Sequence, residues 1–114
     1  EAGYRQLAAA PGAPGLAAGP ARLLRAGQNP LVRPGEILVC GRLPPDRSQA
    51  ALTAAGLVAE QGGRLSYAAL LAARVGIPCA CGARGARTFI RDGDFVQLDG
   101  RLGIVGIHRG RTPG

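Results

Sequence analysis

The chain has 114 residues, 46% of them hydrophobic, which suits one ordinary domain with a real core. Its net charge is +7 and all 14 basic residues are arginines, but they are scattered from Arg5 to Arg111 and only 4% of residues are aromatic, a pattern that argues against a nucleic-acid surface. No apolar run approaches the roughly 20 residues of a membrane span and no signal-peptide core opens the chain; with the odd set Cys40, Cys79 and Cys81 this points to a cytoplasmic protein with reduced thiols.

Glu1, in a chain without methionine, reads as the continuation of a longer reading frame, so companion domains are expected. Pro11, Gly12, Pro14 and Gly15 among alanines predict an irregular lead-in, with residues 1–10 as a linker ahead of a domain over 11–108. Leu16 to Leu24 reads as an edge strand interrupted by Gly19-Pro20, since proline cannot donate into a central ladder. A turn at Gln28-Asn29-Pro30 precedes the apolar run Glu36 to Cys40, a buried strand. Pro44-Pro45-Asp46 leads into a helix over Arg47 to Ala55, with Asp46 placed to cap it and Gly56 to end it.

Leu57-Val58-Ala59 is a short buried strand that runs into Gln61-Gly62-Gly63, and a second helix spans roughly Ser66 to Arg74, stopped by Gly76 and Pro78. Strands follow at Pro78 to Cys81, Thr88 to Ile90, Phe95 to Leu98 and Leu102 to Ile107, with turns at Asp92-Gly93 and Asp99-Gly100; residues 109–114 read as a flexible tail. Strands on both sides of two short helices give an α/β fold, a compact layered β/β/α arrangement of mixed strands.

The junction from Leu57 to Ser66 is where chemistry is expected. Paired glycines let backbone amides face outward, and a helix start offers unsatisfied N–H groups and partial positive charge, so an anion, phosphate above all, is the natural guest. Ser66 can cap the helix or donate to that guest, and Arg64 can add a full charge; Gly62, Gly63, Arg64 and Ser66 are therefore the candidate phosphate-binding residues. A plain glycine turn capped by serine is the competing reading of the same spacing. Arg84, Arg87 and Arg91 could flank a phosphate but read as a solvated face. Cys40, Cys79, Cys81 and His108 lack the spacing of a zinc site, so no metal is expected and the cysteines read as core residues. The chain has no lysine to complete a P-loop.

Taken whole, Ala59 to Pro78, with Gly62-Gly63, Ser66, Ala68-Ala69 and a helix ending before Gly76-Ile77-Pro78, resembles the mobile, phosphohistidine domain of phosphoenolpyruvate-utilising enzymes such as phosphoenolpyruvate synthase and pyruvate phosphate dikinase. Ala13 to Gly19, Gly35-Glu36-Ile37-Leu38-Val39 and Asp92 to Gly100 resemble further segments of that family in the right order. The resemblance implies a swivelling domain whose histidine ferries a phosphoryl group between distant active sites, with ATP, phosphoenolpyruvate and magnesium bound by companion nucleotide-binding or phosphoenolpyruvate-binding domains and no cofactor in this one.

Tyr67 stands where that resemblance puts the phospho-acceptor histidine, and Leu65 where the synthases and dikinases carry a regulatory threonine. A free phenol titrates near 10, so only about 0.1% is phenolate at pH 7, and its phosphate ester transfers far less readily than a phosphoimidazole. The expectation is a domain of the phosphocarrier type that has lost the carrier step and keeps a docking or regulatory role. The alternative is an active phosphotransferase in which Tyr67 is a mutant or unusual acceptor; a nucleic-acid-binding module is a third class. His108 reads as a surface residue, not a displaced carrier.

Overall fold

The computed structural model describes residues 3–25 and 31–109. The expected turn at Gln28-Asn29-Pro30 and the tail beyond Arg109 lie outside them. Eight strands run in the order β1-β8-β7-β3-β4-β5-β6-β2: β1 (Tyr4–Ala8), β2 (Ala10–Ala13), β3 (Leu16–Leu23), β4 (Ile37–Cys40), β5 (Gly56–Ala59), β6 (Cys79–Cys81), β7 (Phe95–Asp99) and β8 (Ile104–His108). Three short helices, α1 (Gln49–Leu52), α2 (Tyr67–Val75) and α3 (Ala86–Phe89), complete the mixed α/β fold.

The layers follow from the side-chain alternation of β4 and β5. Leu38, Cys40, Leu57 and Ala59 point to a core shared with Ala50 and Ala51 of α1 and Ala68, Ala69 and Ala72 of α2. Ile37, Val39 and Val58 point the other way, to a core shared with Val96 and Leu98 of β7, Val105 and Ile107 of β8, and Ala86 of α3. With both faces covered, every residue of β4 and β5 is buried, which is why these strands read as unbroken apolar runs. β3, β4, β5 and β6 pair in parallel, and α1 and α2 lie in the β4–β5 and β5–β6 crossovers, both on the same face.

Four local expectations are corrected. The lead-in is not irregular: β1 pairs with β8 and β2 with β6, at the two ends of the sheet. An outer strand tolerates Pro11 without losing a ladder bond, and the register of β2 shifts between Pro11 and Ala13. β3 is not an edge strand but lies mid-sheet, where it changes partner: Leu16–Pro20 pair antiparallel with β7, and 21–23 parallel with β4. Pro20 falls at the changeover, and Gly19 is required there, because a Cβ would lie on the Gly35 carbonyl oxygen.

The helix expected over Arg47 to Ala55 is instead a 3-10 turn, Pro45–Arg47, followed by the four residues of α1. Asp46 sits inside that turn and caps nothing. Thr53 turns its hydroxyl onto the Val32 carbonyl at 2.7 Å, and Gly56 opens β5 where a Cβ would meet Leu98 at 2.8 Å. Thr88 to Ile90 is not a strand, because α3 runs through it, started by left-handed Gly85 and held by the Arg87 amide on Glu60 Oε2 at 2.7 Å.

Glu36 fastens the start of β4. Its carboxylate accepts two hydrogen bonds from the Arg22 guanidinium, at 3.2 and 2.9 Å, and a third from the Arg33 amide at 2.9 Å. The Arg22 hydrogen bonds outweigh burial and hold the Glu36 carboxyl below its ordinary range, and they raise Arg22 in turn. This ion pair spans the loop between β3 and β4 and so fixes the parallel register at Ala21 and Ile37.

Candidate functional site

The site is built at the carboxyl ends of the parallel strands, where open α/β sheets leave a crevice. Past β5, Glu60 and Gln61 still follow β4, donating to the Cys40 and Gly41 carbonyls at 2.9 Å each. Gly62 then turns the chain with φ +102°, a conformation that L side chains rarely adopt, and a Cβ there would lie 2.6 Å from Ser66 Cβ. Gly63 has open space around it; its carbonyl accepts from the Ser66 amide at 3.0 Å and from the Ser66 hydroxyl at 2.7 Å.

Ser66 is the N-cap of α2, its Oγ accepting from the Ala69 amide at 3.4 Å. Left-handed Gly76 ends the helix, with the Gly76 and Ile77 amides both on the Ala72 carbonyl. Ala68, Ala69 and Ala72 are buried; these small residues seat α2 close on the sheet. Tyr67, the first residue of α2, is 43% exposed, and its phenol has no hydrogen-bond partner among the described residues.

Tyr67 and Ser66 line a cleft of about 340 Å³ with Arg42, Leu43, Gln61 and Gly62. On the other side of Gln61 and Gly62 lies a second cleft of about 430 Å³, walled by Gly82, Arg84, Gly85 and Glu60. Among the described residues the guanidinium groups of Arg42, Arg64 and Arg84 are exposed and form no ion pair or hydrogen bond, whereas Arg87 is tied to Glu60 at 3.1 Å and lies over Gly41. Arg87, read from sequence as part of a solvated face, is exposed and is also the ion-pair partner of Glu60. Arg42 went unnoticed in the sequence; its position just beyond a parallel strand was the available signal.

A larger cleft, about 490 Å³, opens on the antiparallel part of the sheet between Tyr4, Leu16 and Gln97, and none of the candidate residues lines it. His108 belongs to that part: it is half-buried in β8, 3.0 Å from Gln97 Oε1 and 4.6 Å, centroid to centroid, from the Tyr4 ring. It lines neither of the clefts flanking Gly62.

Beneath the site, Cys79 and Cys81 share a face of β6 with their sulfurs 3.6 Å apart, and Cys81 Sγ lies 3.7 Å from Ser66 Oγ. The Cys79 hydrogen bond, and then that of Ser66, hold the Cys81 thiol below its ordinary value while the Cys79 thiol is raised; burial pushes Cys40 up to about 12. Among the described residues no three His, Cys, Asp or Glu side chains are grouped to hold a metal ion, and no helix is long and apolar enough to cross a membrane.

Residues 32–103 match the family described as the PEP-utilising enzyme, mobile domain. The chain belongs to that family. Among curated relatives, this mobile domain is 39% identical to phosphoenolpyruvate synthase of Pyrococcus furiosus over 65% of the chain and 9% of that protein. It is 38% identical to chondramide synthase cmdD of Chondromyces crocatus over 89% of the chain and 3% of that protein. With the uncharacterized phosphotransferase YvkC of Bacillus subtilis it shares 35% identity over 82% of the chain and 11% of that protein. The mobile domain thus spans a small part of each of these relatives. Of solved structures, Enzyme I (nEIt) superposes with a TM-score of 0.59 at 26% identity, over 69% of this chain and 32% of that one. Aconitase X of Thermococcus kodakaraensis gives 0.67 at 17% identity, over 90% of this chain and 98% of that one, a likeness of fold.

Proposed function

We propose that this mobile domain works inside a phosphoenolpyruvate-utilising phosphotransferase as a docking or regulatory module, with Tyr67 in the place of the family's phospho-acceptor histidine and the carrier step lost. The observation that carries the reading is the seating of Tyr67: an exposed side chain on the first residue of α2, straight after a capped glycine turn and facing a cleft that also holds Arg42. An imidazole so placed attacks phosphorus while neutral and gives the group up again; a phenol must first lose a proton that water rarely takes at pH 7. Gly62, Gly63, Arg64 and Ser66 remain as an anion-facing turn, and the unpaired arginines favour the phosphate-bearing surface of a companion domain. ATP, phosphoenolpyruvate and magnesium are assigned to such companion domains, in keeping with the 3% to 11% of relatives' length that the domain covers.

The test is labelling with ATP labelled at its β or its γ phosphorus and with labelled phosphoenolpyruvate in the full-length protein, native and Tyr67→His. No label on the native domain and an acid-labile label on the variant is the expected result. A label on the native protein that survives acid and disappears in Tyr67→Phe makes Tyr67 itself the acceptor and overturns the reading.

A further inference from the structure

The buried cysteine pair is not used by the proposed phosphoryl chemistry, yet it touches the cap of the helix that opens the site. Cys79 and Cys81 are both 0% exposed, alternate residues of a pleated strand and so on one face of it. Their sulfurs stand 3.6 Å apart, and Cys81 Sγ is 3.7 Å from Ser66 Oγ, which also caps the Ala69 amide. Gly12 of β2 covers the pair from the other side, where a Cβ would lie 2.8 Å from Cys81 Sγ and 3.0 Å from Cys79 Sγ.

We propose that Cys79 and Cys81 are a reversible thiol-oxidation site whose state is relayed to the start of α2 through Ser66. Two residues of strand advance about 6.4–6.8 Å, the upper end of the roughly 4.4–6.8 Å between Cα atoms that a disulfide spans. At that limit the bridge closes under strain, and a strained bridge is easily reduced, which suits a switch better than a staple. Access comes through β2, an outer strand of four residues that contains Pro11 and a register shift, and so is among the first elements to open locally.

With a hydroperoxide as oxidant the step balances. The Cys81 sulfur attacks the peroxide oxygen, the O–O bond breaks, and Cys81 becomes a sulfenic acid as its thiol proton leaves with the departing oxygen as water or alcohol. Cys79 sulfur then attacks Cys81 sulfur; the S–S bond forms, the S–O bond breaks, and hydroxide departs with the Cys79 proton as water. Two electrons pass from the dithiol to the peroxide, and a small-molecule dithiol returns them by exchange. In the bridged form Cys81 has no S–H left to donate to Ser66 Oγ, whose own proton is on the Gly63 carbonyl, so the cap loses that support.

The experiment treats the reduced chain with hydrogen peroxide, blocks the remaining thiols by alkylation, and maps the peptides by mass. The expected product is a Cys79–Cys81 bridge with Cys40 alkylated, reversed by dithiothreitol, preserved in Cys40→Ser and absent in Cys81→Ser. In the bridged protein the Ala69 amide exchanges with deuterium about fivefold faster, the loss of one helix cap. Both thiols still alkylated, a bridge to Cys40, or a bridge that leaves Ala69 exchange unchanged overturns the proposal. Mapping of the unmodified sequence needs no variant to fold, and no phosphoryl donor enters, so the result is independent of the phosphotransfer reading.

Discussion

The parallel and antiparallel parts of the sheet differ in what their strand ends can offer. β4 and β5 are buried along their whole length, so their polar business is transferred to the loops at their carboxyl ends: Arg42 after β4, and Gln61 to Ser66 after β5. β7 alternates as a half-covered strand does, β8 is buried only at its centre, and the two are joined by a tight turn at Asp99, where the carboxylate accepts from the Arg101 and Leu102 amides. The wider cleft lies on the antiparallel part, lined by Leu16, Ala17 and Ile104 and carrying none of the candidate residues. Volume alone thus points away from the candidate site. The narrower clefts at the parallel strand ends collect the helix start, Arg42 and Arg84, whereas Arg64 lines neither.

That contrast can be broken by substitution, beginning with the core. Leu57→Ala, fully buried in β5, is expected to cost about 3 kcal/mol by urea unfolding, within the usual range for a buried leucine. Glu36→Gln removes one partner of the part-buried ion pair and is expected to cost about 2 kcal/mol.

The pH profile sharpens that second case. The folded carboxyl of Glu36 titrates below its unfolded value, so its contribution is complete above the unfolded value of about 4.3 and is lost as pH falls through the folded one. Stability measured from pH 7 down to pH 2 should fall on the acid side in the native chain, with a shallower fall in Glu36→Gln. Ser66→Ala, which removes the α2 cap, is expected to cost about 1 kcal/mol, read by the same unfolding assay. Leu16→Ala on the antiparallel part, 79% exposed, should stay within about 0.5 kcal/mol. A cost there near that of Leu57→Ala would erase the distinction between the two parts.

What could be read from the sequence was whatever a local pattern carries. β4, β5 and α2 each announce themselves within ten residues, by an apolar run or by a serine cap with a glycine stop, and the turn at Asp92-Gly93 is equally local. The candidate site was legible for the same reason, since Gly62 to Tyr67 is contiguous. β1 and β2 were missed because their partners are remote, Tyr4 facing His108 and Ala13 facing Cys79, and a proline-rich alanine stretch has no pattern of its own to announce pairing. α3 reads as a strand in the sequence because it depends on Glu60, 27 residues earlier, which holds both the amide and the guanidinium of Arg87. Arg42 escaped because an arginine after a strand becomes informative only once the neighbouring strand ends are known.

The pairing of β1 with β8 has a mechanical consequence. Tyr4 lies opposite His108, and the Arg109 amide donates to the Gly3 carbonyl at 2.7 Å, so the first and last described residues are neighbours on one edge. Strands so paired are about 4.8 Å apart. A pull on either end loads the β1–β8 ladder before it reaches β4, β5 or α2.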